Sequence, residues 1–174
     1  GIGWIVMSEF RKRINRLKIK LGYTLKLSKA LGMPKMITIE PTNHCQLKCP
    51  LCPTGEGDTN VEYGLLKLDK YKTVVDKFAK WAQTFQLFSW GEPFLNKSFV
   101  EMISYASQHP HKIRSVVSAN LNDITDEQIK GLVTSNLNML GVSIDGLTEG
   151  TINPVEEVQQ PDPKHARNNV NPAK

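Results

Sequence analysis

Between residues 36 and 145 the apolar positions switch repeatedly between two rhythms. Four short runs dense in β-favouring residues predict strands: MITIE (36–40), TFQLFSW (84–90), IRSVVSA (113–119) and LNMLGVSID (137–145). The stretches between them carry a helical period. LDKYKTVVDKFAKWA (68–82) sets Tyr71, Val74, Val75, Phe78 and either Trp81 or Ala82 on one side of a helix. NKSFVEMISYASQH (96–109) predicts a second helix with Asn96 as its cap, and TDEQIKGLVTS (125–135) a third opened by Thr125. Strands separated by such helical stretches predict βα units and a parallel sheet with right-handed crossovers. The fold class is therefore α/β, with about four parallel strands.

The two ends follow other patterns. Phe10, Ile14, Leu17, Leu21 and Leu25 recur at helical spacing with basic residues between them; Ser8 is the expected cap, and Gly32 and Pro34 the expected end. The expected arrangement packs this apolar stripe against the following domain. The alternative is a helix lying on an anionic membrane or on RNA, an anionic surface contact through residues 8–30. After residue 150, prolines at 154, 161, 163 and 172 interrupt a polar stretch without a sustained period, which predicts an extended or disordered tail. Three segments result: a basic helical extension (1–35), a βα core (36–150) and an irregular tail (151–174).

Charge sharpens this division. The net charge of the 174 residues is +5. Residues 1–36 hold nine Lys or Arg against a single acid, Glu9, so the rest of the chain is slightly acidic. A nucleic-acid reading based on the whole-chain charge would be misled, because the excess belongs to one segment. No apolar run approaches the roughly 20 residues that a spanning helix needs. In GIGWIVMSEFRKRINRL the apolar run precedes the basic one, the reverse of a signal peptide, and MSEF reads as a more natural start. With three clustered cysteines, this predicts a cytoplasmic protein rather than a disulfide framework.

All three cysteines lie within TIEPTNHCQLKCPLCPTGEG (38–57), in a loop just past the first strand. The carboxyl ends of parallel strands are where α/β folds place their chemistry. Cys45-x3-Cys49-x2-Cys52 lets one loop wrap a compact metal centre, and thiolate suits zinc or iron–sulfur. Structural zinc requires four closed ligands, and His44 is awkwardly placed beside Cys45. An iron–sulfur cubane on three thiolates leaves one iron open for a substrate or cofactor.

This spacing, after a strand and the run IEPTNHCQLKCPLCP, resembles the signature of the radical S-adenosylmethionine (SAM) enzymes, especially members that carry a C-terminal SPASM or twitch extension. The likeness runs over about residues 34 to 148. It implies that Cys45, Cys49 and Cys52 hold a [4Fe–4S] cluster whose open iron binds SAM. An electron then cleaves SAM to methionine and a 5′-deoxyadenosyl radical, which abstracts a hydrogen atom from a peptide or small-molecule substrate. An electron donor such as flavodoxin or ferredoxin is also implied. Gly91, Glu92 and Pro93 resemble the family's Gly-Gly-Glu-Pro turn at the SAM amino group, with Trp90 in place of the first glycine. Ser118 and Asn120 resemble a Ser-Thr-Asn strand end, with Ala119 in place of the threonine. Ser143 and Asp145 resemble polar SAM contacts after the fourth strand, and Leu51 stands where relatives often carry an aromatic residue against adenine.

The family fold is a (β/α)6 partial barrel, so four strands imply an incomplete one, the N-terminal part of the core. Beyond SIDGLTEGTI the sequence departs from the family pattern, and no cysteines for auxiliary clusters follow. Residue by residue, Glu92 also suits a hydrogen-bonding turn, Asp145 a cap and Ser143 a plain strand end. Three readings therefore stand: a radical SAM enzyme or part of one, a non-catalytic thiolate zinc module, and a basic membrane- or RNA-associated protein.

Overall fold

The computed structural model describes residues 2–49, 52–57 and 60–144. The expected tail (151–174) and the end of the fourth predicted strand lie outside them.

Four parallel strands form one sheet in the order β1-β2-β3-β4: Met36–Thr38, Thr84–Gln86, Arg114–Ala119 and Met139–Val142. Ile37 pairs with Phe85, Phe85 with Ser115, and Val117 with Leu140. The predicted strands are longer than the paired ones because the ladder thins towards the loops. Ile39 N–H still donates to Gln86 O at 2.8 Å and Leu87 N–H to Val116 O at 2.8 Å.

Helices α2 (Leu68–Phe78), α3 (Phe99–Ser107) and α4 (Asp126–Thr134) fill the connections. The apolar side of α2 buries Tyr71 and Val75, and α3 buries Phe99, Met102, Ile103 and Ala106. They meet Phe85, Leu87, Val117 and Ala119 in one core. Each fully buried side chain of this kind contributes roughly 1.5–3 kcal/mol by leaving water. A short 3-10 turn, Pro93–Leu95, links the end of β2 to α3, and Phe94 meets Phe99 edge to face at 5.0 Å. Ser98, not Asn96, directly precedes α3; Asn96 accepts from Ser98 N–H and gives its amide to Pro41 O and Leu66 O. Thr125 caps α4 as expected, in a reciprocal box with Gln128.

The N-terminal helix corrects three expectations. Helix α1 spans Ile2–Thr24, so Ser8 sits within it rather than capping it. It stops well before Gly32 and Pro34, because Lys26 adopts a left-handed conformation (φ 50°). Leu27 N–H then reaches Gly22 O and Lys26 N–H reaches Tyr23 O, closing the last turn on itself. The third correction concerns the apolar stripe, which faces solvent: Phe10 is 61% and Leu17 66% exposed. The side turned to the domain is polar. Lys12 Nζ donates to the carbonyls of His111 and Lys112, and Asn15 clamps both backbone groups of Met33 at 2.8 Å. The Lys12 bonds satisfy carbonyls in the turn before β3 and the Asn15 bonds a backbone pair before β1, which an apolar face could not do.

Candidate metal and cofactor site

Parallel strands bring the starts of the connecting loops to one edge of the sheet. The loop after β1 begins with buried Pro41 and Thr42. Thr42 Oγ1 donates to Gly64 O at 2.9 Å and accepts from His44 N–H at 3.0 Å. Asn43 donates to Glu62 O at 2.9 Å and accepts from Gly64 N–H at 2.8 Å. These ties join the two ends of the excursion, so Cys45, Cys49 and Cys52 ride on a closed loop. His44 is buried and stacks on Tyr63 at 5.4 Å.

All three cysteines are partly buried and none is joined in a disulfide. The Cys45 thiol is pushed up to about 11, chiefly by burial; the Glu92 carboxylate and the Cys49 and Cys52 thiols add to the shift, against the Leu47 backbone N–H. Among the described residues, no three His, Cys, Asp or Glu side chains are gathered tightly enough to enclose a single metal ion.

A polar chain joins this loop to the other strand ends. Asn120 Nδ2 lies 3.9 Å from Cys45 Sγ, and Asn120 Oδ1 accepts from the buried Gln46 side chain at 3.0 Å. The backbone N–H of Asn120 donates to Glu92 Oε2 at 2.8 Å, while Glu92 N–H donates to His44 O at 2.8 Å. Glu92 also accepts from Phe94 N–H at 3.4 Å. One buried residue thus braces the cysteine loop, the turn after β2 and the end of β3. Burial raises the Glu92 carboxyl above its ordinary range, with its backbone N–H partners pulling the other way.

Gly91 occupies the closest approach between the turn and the loop. A Cβ there would collide with the Thr42 carbonyl, far inside van der Waals contact. The Glu40 carboxylate holds this junction, accepting from Trp90 N–H at 2.7 Å and Gly91 N–H at 3.3 Å. Gly55 fills a similar place under the cysteines, where a Cβ would lie 2.5 Å from Cys49 O. Beside the loop a cavity of about 250 Å³ is lined by Glu40, Asn43, Thr54, Tyr63 and Trp90, among others.

The structure brings together Cys45, Gly91, Glu92 and Asn120 of the expected site. Pro93 is buried in the 3-10 turn. Ser118 lies half-buried in β3 beside Gly141, and Ser143 is exposed, its N–H donating to Ala119 O at 3.0 Å. Among the described residues neither serine is tied to the cysteine loop by a hydrogen bond, whereas Glu40, Thr42 and Gln46, which sequence reasoning missed, hold it in place. Leu51 and Asp145 fall outside the described residues.

The residues present fit an iron–sulfur group in two respects. The donor set is three soft thiols on one loop, none consumed by a disulfide. The thiol-bearing loop is also packed backbone to backbone at Gly55 and Gly91, so it is held by main-chain contacts that any side chain at these positions would break.

Comparison with known proteins points the same way. A family model described as the radical SAM superfamily matches residues 39–170. Fe-coproporphyrin III synthase of Methanosarcina barkeri (strain Fusaro / DSM 804) is 34% identical over 108 residues, covering 62% of this chain and 26% of the relative. PqqA peptide cyclase of Bradyrhizobium diazoefficiens (USDA 110) is 30% identical over 125 residues, covering 71% of this chain and 32% of the relative. The chain therefore spans about a quarter to a third of these relatives. Among solved structures, BtrN in complex with AdoMet and 2-DOIA superposes with a TM-score of 0.57 at 20% identity, over 70% of this chain and 51% of that one. HydG, a maturase of the [FeFe]-hydrogenase, gives 0.54 at 16% identity, over 75% and 29%.

Proposed function

The chain belongs to the radical SAM superfamily, whose cofactors are a [4Fe–4S] cluster and SAM, and on that premise we propose that residues 36–150 form the N-terminal part of a radical SAM core. In this reading Cys45, Cys49 and Cys52 hold the cluster. Gly91, Glu92, Pro93, Ser118, Asn120 and Ser143 line the SAM side, with Leu51 and Asp145 completing it. Residues 1–35 form an extension to it. The observation that carries the proposal is the hydrogen-bonded run from Cys45 through Asn120 to Glu92 and back to His44, which makes three strand ends one unit around the thiols.

When bound, the cluster supplies the electron that cleaves SAM reductively. The chain's own residues bind and position. Cys45 must lose its proton to serve as a ligand, and the Asn120 amide N–H directed at its sulfur favours the thiolate. Glu40 fixes the turn that offers its backbone to SAM, and Gly91 lets that turn close on the loop. The substrate is a peptide or small molecule. The matched relatives are a peptide cyclase and a porphyrin-forming synthase by name, which supports both classes. The reducing cytoplasm suits thiols outside a disulfide and a flavodoxin- or ferredoxin-type donor. A zinc module is not favoured, because it would leave the joined strand ends without a task.

Anaerobic reconstitution followed by iron and sulfide analysis tests this reading. Four irons and four sulfides per chain are expected, lost in Cys49→Ala. Gly91→Val should weaken SAM binding at least about tenfold, because the turn cannot then close on Thr42. Stoichiometric zinc without iron, or unchanged SAM affinity in Gly91→Val, would refute it.

A further inference from the structure

Helix α1 faces the wrong way for a helix that merely decorates a domain. Its inward side is polar: Ser8, Lys12 and Asn15 are all buried. Ser8 Oγ lies 2.8 Å from His111 Nδ1, Lys12 reaches two carbonyls of the same turn, and Asn15 holds Met33. Its outward side carries Met7, Phe10, Ile14, Leu17 and Leu21, each between 37% and 66% exposed. At about 100° per residue these five fall in one arc of about 80°. Arg11 and Lys18 line one margin of the row, Arg13 and Lys20 the other, and all four are exposed. Glu9 is the only acid in the helix, and it lies away from the row.

We infer that α1 is an in-plane anchor that seats this protein on an anionic lipid bilayer. Hydrogen bonds on the polar side fix which face of the helix is presented, so the apolar row cannot turn inward without breaking them. RNA would call for basic groups at the crest of the helix. Here the crest is apolar and the cations stand on its two margins. That arrangement lets Phe10, Leu17 and Leu21 enter the acyl boundary while guanidinium and ammonium groups reach lipid phosphates. Every charge bordering the row is positive, which selects an anionic surface. The helix lies on the membrane rather than through it, since no described helix is long and apolar enough to cross one.

The test uses the whole 174-residue chain without cofactor, so its result is independent of the cysteine reading. Co-sedimentation is measured with phosphatidylglycerol/phosphatidylcholine vesicles, with pure phosphatidylcholine vesicles and with a single-stranded RNA. The expected result is partition onto the anionic vesicles that weakens with salt. In the double variant Phe10→Glu/Leu17→Glu it should fall by at least about tenfold. Both positions are exposed, so circular dichroism should show the fold unchanged. Arg13→Gln/Lys20→Gln should reduce the preference for phosphatidylglycerol. The inference is overturned if the chain ignores anionic vesicles or if the Glu variant partitions equally well. It is also overturned if RNA binds in preference, or if the row covers a second copy, seen as a dimer that Phe10→Glu/Leu17→Glu dissolves.

Discussion

At the scale of single residues, Glu92 carries the most. The residue is 3% exposed, its carboxylate receives backbone N–H groups from Asn120 and Phe94, and its own N–H holds the cysteine loop at His44. Glu92→Ala would leave buried N–H groups without acceptors and open a void, at an expected cost of about 2–4 kcal/mol. Glu92→Gln keeps the shape and removes the titration. Because burial raises the folded carboxyl above its unfolded value, the folded chain holds the proton more tightly. The stability from this group is thus fully present below the ordinary carboxylate range and lost as pH rises through the raised value. Urea unfolding across that window should show this slope in the parent and lose it in Glu92→Gln. An alanine variant as stable as the parent would remove Glu92 from the role of brace. The cysteines were legible from their spacing, and Gly91 and Asn120 from the resemblance of their strand-end turns to the family's. Glu40, Gln46 and Asn96 were not, since they act on partners 51, 74 and 55 residues away, and no local period records such distances.

At the scale of elements, propensity and period predicted where helices and strands lie better than which way they face. Thr125 shows the first: its hydroxyl accepts from Gln128 N–H and Gln128 Oε1 accepts from Thr125 N–H, as a capping box should. Helix α4 buries no residue fully, so its cap supplies a large share of its local stability. Thr125→Ala should therefore cost about 1 kcal/mol. Amide exchange in 126–134 should rise before that of α3, which the core holds. Equal protection of α4 in both proteins would show that packing alone secures it. Helix α1 shows the second limit. A stripe at helical spacing announces two unlike faces, but the side turned to the fold is decided by what waits there. What waits there is a turn with open carbonyls at His111 and Lys112, which recruits Lys12 rather than leucines. Nothing in the period of α1 itself carries that information.

At the scale of the whole molecule, the sheet order among the described residues leaves β1 and β4 as edges. On the β4 side Met139, Val142 and Ile144 stand 53%, 46% and 64% open. An edge strand offers unpaired N–H and C=O groups together with these side chains, a template for another strand. The 174-residue polypeptide should therefore self-associate through this edge with rising concentration, which sedimentation velocity would record as a shift from monomer to larger species. Val142→Lys places a charge on that edge and should restore the monomer, whereas Phe10→Glu/Leu17→Glu, on the other surface, should leave the association unchanged. The opposite pattern would move the contact to α1, and a parent that stays monomeric throughout would show that the β4 edge is already protected. The two variants thus separate two apolar surfaces of different origin. The β4 edge is exposed because no strand among the described residues pairs beyond it, and the α1 row because hydrogen bonds on the opposite side of the helix turn it outward.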